Sequence, residues 1–504
     1  MGARMSGPVA RLGVVAVALL AAGCGPQRAP PLRPGTWIST EQLGQHWAAG
    51  TVELDAVEHH FYLLEATKTA HVAESFVTVI PPNPSQTPAD SRAALQALRD
   101  LFGDPGRGAD RGLEYVEEVG HGSGPTPQPG EAATRSLTGE YLAHVGWAER
   151  RLAQGLPPAF VTRNTLLPVT LQEAELYLGP DRAAISYQVT PTRSVAFVVV
   201  AGGSRLIDLG PSEAIAAAAN DLRARVIRRD DGWRAASQRL CELVVEPVAS
   251  DVHGAEQLVV SGDGPLHGVP WSAVCEPGAG FRAVQSLVEL PSLTLLRYVN
   301  SASLSQTTPQ IASFGNPSYP IAIPSLPHAE LEAMVVAAMI DGSRAWLGGA
   351  ATEAAFRDAI TDHAVVHLAT HALALSGVEG VPPAVFLAAD SAHDGLLTTA
   401  EIAELDLREV ELAVVSACQS GVTTDSSAID SLSAAFIVAG ARTTVTSLWS
   451  VDDAATARLM TEFYARLWSE GPAAAMRHAQ EVVAAQPGWE HPYFWASFQV
   501  SGGS

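Results

Sequence analysis

The chain reads as an α/β protein with a mostly parallel sheet carrying helices on both faces. Two observations predict this. Leu258–Ser261, Ile311–Phe314, Ala364–Ala369, Ala384–Leu387, Leu412–Ser416 and Thr443–Leu448 are continuous apolar runs of strand length, without polar alternation. Strands of that kind are covered on both faces, as in parallel sheets. Helical patterns are interleaved with them at Glu330–Ile340, Glu353–Ile360, Thr399–Leu405, Leu432–Ala439 and Asp453–Trp468. Such interleaving is the arrangement of helices packed on both sides of one sheet.

Composition narrows the function classes. With 504 residues, the prior is about three domains. Hydrophobic residues make up 47% and charged residues 17%, which excludes a disordered chain. Thirty-one cations against 53 carboxylates leave a net charge of −22, so no nucleic-acid partner is expected. Four cysteines are too few for a disulfide scaffold of this length. Lys68 is the single lysine, which reads as coding bias rather than chemistry.

The chain opens with an address. Arg4 and Arg11 flank an apolar run from Leu12 to Ala22, too short to span a bilayer as a helix. Ala21, Ala22 and Gly23 lead into Cys24. The segment resembles a bacterial lipoprotein signal, which implies removal of residues 1–23 and lipidation of Cys24. It departs from the usual pattern because Leu20 stands four residues before the cysteine. The expected localisation is therefore the bacterial cell envelope, with the membrane as a partner through a lipid anchor. Removing Cys24 leaves Cys241, Cys275 and Cys418. Cys241 and Cys275 could pair in an oxidising compartment, and at least one thiol stays unpaired within the chain.

Residues 24–35, rich in proline, form a tether. Residues 36–160 are a region of unknown type. In it Phe61, Tyr62 and Leu63 form an apolar patch, Phe76–Ile80 reads as a strand and Ala93–Phe102 as an amphipathic helix. Glycine, proline and serine mark 103–130 as a linker, and residues 136–155 carry apolar side chains at helical spacing. No repeat of 20–50 residues is present. Residues 165–235 are β-rich, with strands at Ala183–Tyr187 and Ser194–Val200. Helical patterns follow at Glu213–Ile227 and Gly232–Val245. Leu432–Ala439 is apolar all round, so it is expected buried, with Gly440 ending it. Asp452 and Asp453 cap the last helix of the pattern.

Two strand ends carry chemistry. VVHLATHA brings His371 to one, and LAVVSACQSG brings Cys418 to another. Catalytic groups in open α/β sheets collect at the carboxyl ends of strands. A thiol there can attack a carbonyl while a neighbouring histidine moves protons, and backbone N–H groups in a tight turn can receive the oxyanion. His363, His367 and His371 are four apart, but the segment reads as a strand without an H-E-x-x-H glutamate, so no metal site is expected. His363 is expected at the surface and His367 buried and hydrogen-bonded.

Eight ordered segments across about 236–500 resemble the CHAT domain, the caspase-HetF-associated branch of the clan CD cysteine peptidases. They are LVVSGDGPLHGVPWSAV, FGNPSYP, PSLPHAELEAM, WLGGAATEAAFRDAI, VVHLATHA, DGLLTTAEIAELDL, VVSACQSG and the run from Ser431 to Leu467. The β-rich 165–235 segment resembles what commonly precedes that domain. The resemblance implies a caspase-like sheet and a cysteine endopeptidase acting on a protein or peptide substrate, with His371 and Cys418 as dyad and no cofactor. It also places oxyanion donors at the backbone of Ala372 and Cys418. The family usually has glycine where this chain has Ala372, and an acidic residue where it has Ser427. Asp425 and Asp430 lie near the latter and are the candidate substrate-pocket residues, favouring arginine at the cleaved bond, as separase does. The alternative is a CHAT-like fold whose catalysis has lapsed, serving as a scaffold or binding module at the membrane. An esterase or transpeptidase would call for a G-x-S-x-G elbow, which the sequence lacks.

Overall fold

The computed structural model describes residues 61, 64, 65, 68, 69, 169–189, 193–275, 281, 286–299, 309–319, 325–373, 383–419, 427–449 and 452–503. Helix α1 (Leu171–Leu178) begins at a reciprocal cap, in which Thr170 accepts from the Glu173 N–H and Glu173 accepts from the Thr170 N–H. Then come β1 (Arg182–Val189), β2 (Arg193–Val200), β3 (Gly203–Pro211), α2 (Ser212–Ile227), α3 (Trp233–Leu240), β4 (Gln257–Ser261) and β5 (Ser286–Glu289). The first three strands form an antiparallel meander. β4 adds to β1 and β5 to β4 in parallel, in the order β3-β2-β1-β4-β5. This sheet therefore draws strands from both sides of residue 235. Cys241 and Cys275, 34 residues apart, are joined in a buried disulfide on its flank.

Phe61, Leu64, Glu65, Lys68 and Thr69 are helical and buried. Their spacing makes one helix face. Tyr62, Leu63 and the elements expected at 76–80, 93–102 and 136–155 lie outside the described residues. The buried face is half polar, and every polar group on it is held. Lys68 Nζ donates to Ser186 Oγ at 2.8 Å and Ser261 Oγ at 2.9 Å. Glu65 accepts from Ser186 Oγ at 2.6 Å, Ser292 Oγ at 2.8 Å and the Leu293 N–H at 2.7 Å. A buried pair is tolerated only when its charges find such partners.

Among the described residues the second sheet has eight strands. They are β6 (Ile311–Gly315), β7 (Arg344–Leu347), β8 (Val365–Leu373), β9 (Ala384–Phe386), β10 (Leu396–Thr398), β11 (Leu412–Gln419), β12 (Thr443–Ser447) and β13 (Phe498–Gly502). The connecting helices are α4 (Pro327–Ala338), α5 (Glu353–Ala359), α6 (Thr399–Glu404), α7 (Ser427–Ala439), α8 (Asp453–Glu470) and α9 (Pro472–Ala484). β7-β6-β8-β11-β12 is parallel throughout, while β9, β10 and β13 are antiparallel additions. Alternate residues supply opposite layers, as pleating requires. Val365, Leu412 and Val414 pack with Leu459, Phe463 and Leu467 of α8. Val366, Leu368, Ala413 and Val415 pack with Phe356 of α5 and Phe436 of α7. Residues 432–439 are buried as expected. Gly440, at φ 119°, ends α7 where a Cβ would meet the Arg408 backbone at 2.9 Å. Asp452 caps α8 by accepting from the Ala454 and Ala455 N–H groups.

Two strands run farther than their apolar runs suggest. β8 continues past Ala369 to Leu373 because β9 pairs with Ala372 and Leu373. β11 continues past Ser416 to Gln419 because it keeps β8 as its partner.

Candidate active site

β8 and β11 are parallel neighbours in register from Val365↔Leu412 to Ala372↔Gln419. That register makes His371 and Cys418 direct Cα partners. They are one inter-strand spacing apart, about 4.8 Å. Both stand at the carboxyl ends of central strands, although within the ladder rather than beyond it.

His371 is buried, 3% exposed. Tyr319, on the loop leaving β6, packs against it with ring centroids 5.0 Å apart at 60°. Ala372 is extended strand, paired with Val385 on one side and Gln419 on the other. It is not among the residues with positive φ, so alanine fits there without strain. The side chain of Cys418, Asp425 and Cys24 lie outside the described residues. Asp430 and Ser427 belong to the first turn of α7, their side chains likewise outside.

The three spaced histidines have three different settings. His363 is half-buried rather than at the open surface, its Nδ1 3.1 Å from the Ala359 carbonyl and its ring against Trp346. His367 is fully buried, with Nε2 3.1 Å from Glu332 Oε1 and Nδ1 3.1 Å from the Tyr464 hydroxyl. Burial, and then the Glu332 charge, push the Tyr464 phenol well above its usual range, so it stays protonated. One hydrogen-bond arrangement satisfies all three groups, with the Tyr464 hydroxyl donating to Nδ1 and Nε2–H donating to Glu332.

A second polar knot lies where α5 begins. Glu353 is fully buried and accepts from Arg357 Nε at 2.9 Å and Nη2 at 2.7 Å. Burial, helped by the Glu401 charge, nevertheless raises its carboxyl above the ordinary value against the pull of Arg357. Nearby, burial pushes Asp390 upward, but hydrogen bonds from the Ala392 and Ala354 N–H groups and from His393 outweigh it and hold the carboxyl at about 2.

His367 is buried and hydrogen-bonded as expected, whereas Tyr319, Glu332 and Tyr464 have no local motif that assigns them a role. Their only signal in the sequence is membership of the FGNPSYP, PSLPHAELEAM and terminal-helix segments.

The fold and the paired strand ends define an α/β protein with a mostly parallel sheet and a histidine and a cysteine side by side on adjacent strands. The CHAT domain family model matches residues 234–503, more than half of the chain, and the protein belongs to that family. Tetratricopeptide repeat protein 28 of Homo sapiens is 30% identical, over 49% of this chain and 12% of that protein. The Mus musculus protein of the same name is 29% identical, with the same coverage. The chain thus spans about an eighth of the length of the curated relatives it matches. Among solved structures, the Saccharomyces cerevisiae separase–securin complex aligns with a TM-score of 0.44 and 10% identity, covering 75% of this chain and 34% of that one. The Arg-specific cysteine proteinase gingipain R aligns with a TM-score of 0.34 and 11% identity, covering 53% and 67%.

Proposed function

We propose that the protein is an exported, lipid-anchored cysteine endopeptidase. The observation that carries the reading is the register that pairs His371 with Cys418 at adjacent strand ends. The Cys418 thiolate adds to the scissile carbonyl, forming a tetrahedral intermediate whose oxyanion calls for backbone N–H donors beyond the paired part of the ladder. His371 gives its proton to the departing amine, leaving a thioester. Water, deprotonated by His371, then releases the acid and restores the thiol. The buried Cys241–Cys275 bridge supports the exported half of the reading, because such bridges persist in oxidising compartments.

Asp425 and Asp430 are the proposed pocket carboxylates, and a carboxylate there favours arginine through its planar fork. Cleavage of an unbiased peptide library by the wild type and Cys418→Ala tests the whole reading. Cleavage after arginine that vanishes in the variant supports it. A library left intact by both, with Cys418 silent to a thiol-reactive peptide probe, points instead to a catalytically lapsed scaffold.

A further inference from the structure

A histidine ring turns about a soft, roughly two-fold χ2 torsion, so its plane is set by what packs against it. Tyr319 packs against the His371 ring, and the loop that brings it there is fixed at several points. Gly315 lets the chain pass close to α4, since a Cβ would lie 2.6 Å from Ala333 Cβ and 2.8 Å from the Ala329 carbonyl. Asn316, at φ 45°, donates its N–H to the Ala369 carbonyl at 3.0 Å, two residues before His371. Its side-chain oxygen accepts from the Leu326 N–H at 2.8 Å. The Ser318 N–H donates to the Gly348 carbonyl at 3.0 Å.

The Tyr319 ring then sits between two others, 5.0 Å from His371 and 6.1 Å at 86° from Phe386. Its hydroxyl lies 3.4 Å from Thr370 Oγ1. Thr370 gives its single hydroxyl hydrogen to the Phe386 carbonyl at 2.7 Å, so the tyrosine hydroxyl is the donor in that contact. The ring is thus held between Phe386 and His371, with only a long contact at its hydroxyl, and it meets the imidazole edge to face, a favoured geometry.

We propose that Tyr319 is a positioning residue for His371, selecting the imidazole plane that faces the Cys418 strand. The inference rests on the dyad reading for its consequence in turnover, but not for its geometry. The ring does most of this and the hydroxyl little, so Tyr319→Phe should behave like the wild type and Tyr319→Ala should not.

The experiment uses the full chain with ¹³C-labelled histidine, His371 being assigned through His371→Gln. The order of the His371 Cε1–Hε1 bond from ¹³C relaxation should stay high in the wild type and Tyr319→Phe, and fall in Tyr319→Ala. In parallel, Tyr319→Ala should lower kcat on a Cys418-dependent peptide at least tenfold with KM within about twofold, since displaced catalytic groups cost rate rather than binding. Tyr319→Phe should stay within about threefold of wild type in both. An ordered His371 ring in Tyr319→Ala overturns the proposal, whether or not the protein cleaves peptides. So does a rise in KM at constant kcat, which would make Tyr319 a substrate contact. A wild type without Cys418-dependent cleavage overturns the peptidase reading alone, and ring order still decides the role of Tyr319.

Discussion

His367 and Glu332 are joined beneath the strand that bears His371, Nε2 to Oε1 at 3.1 Å, with Tyr464 closing the other ring nitrogen. Each member satisfies a group that burial would otherwise leave without a partner. Tyr464→Phe should therefore destabilise the protein by about 1–3 kcal/mol, the penalty of an unmet buried acceptor at Nδ1. Urea unfolding with the m-value monitored checks it. An unchanged midpoint would show that the three groups are not coupled.

The dyad makes a sharper demand. Cys418→Ala and Cys418→Ser should each abolish cleavage while leaving the fold intact, and His371→Ala should cost a comparable amount of activity. The Cys418→Ala/His371→Ala double variant should be no worse than either, because groups that act as one unit are not additive. A double variant far below both singles would break the assignment.

Glu353 offers a pH test with a defined sign. Its carboxyl titrates above the ordinary 4.5, so its folded form favours the proton. The stability this provides is complete below 4.5 and is lost as pH rises through the raised folded value. Glu353→Gln should match the wild type at acid pH and surpass it increasingly toward neutral pH. Denaturation midpoints at several pH values read this directly, and a glutamine variant weaker at neutral pH would mean that Arg357 outweighs burial.

The disulfide closes a loop of 34 residues. Replacing Cys241 and Cys275 together by alanine should cost roughly 4 kcal/mol on the chain-entropy scale for a loop of that length. Comparison of the oxidised wild type with the double variant in guanidinium measures it.

For the leader, Cys24→Ala should release the protein from membranes or block its processing. Fractionation of cells expressing the variant checks this, and a protein of wild-type size that stays anchored would exclude lipidation at Cys24.

Much of this was legible in the residues, and the gaps have physical causes. Runs of strand length located β4, β6, β8, β9, β11 and β12; the first five are largely apolar because a strand covered on both faces sheds water on both sides, while β12, TTVTS, is buried with four hydroxyl side chains. The same runs stopped short at Ala369 and Ser416, since the polar residues beyond them are strand only through their partners across the ladder. β7, with half-buried Ala345, Trp346 and Leu347, and β5, four residues with alternating burial, carry too little pattern to be seen alone. Apolar runs also say that neighbours exist without saying which. That is why Leu258–Ser261 gave no hint that it pairs with Arg182–Ser186 in a separate sheet. His371 and Cys418 were found as strand ends, but their being register partners depends on pairing that only the fold supplies. Tyr319 was invisible for the same reason, being 52 residues from the ring it touches.

The sealing of Lys68 has a practical side. The sole ε-amine of the chain is 3% exposed and bound to Ser186 and Ser261. While the first sheet is closed, amine-directed reagents and lysine-specific proteases find no lysine on the folded body. Labelling or cutting at that single position therefore counts openings of one defined place, against a background that no other lysine can contribute. A chain so poor in lysine carries its own built-in reporter of local unfolding.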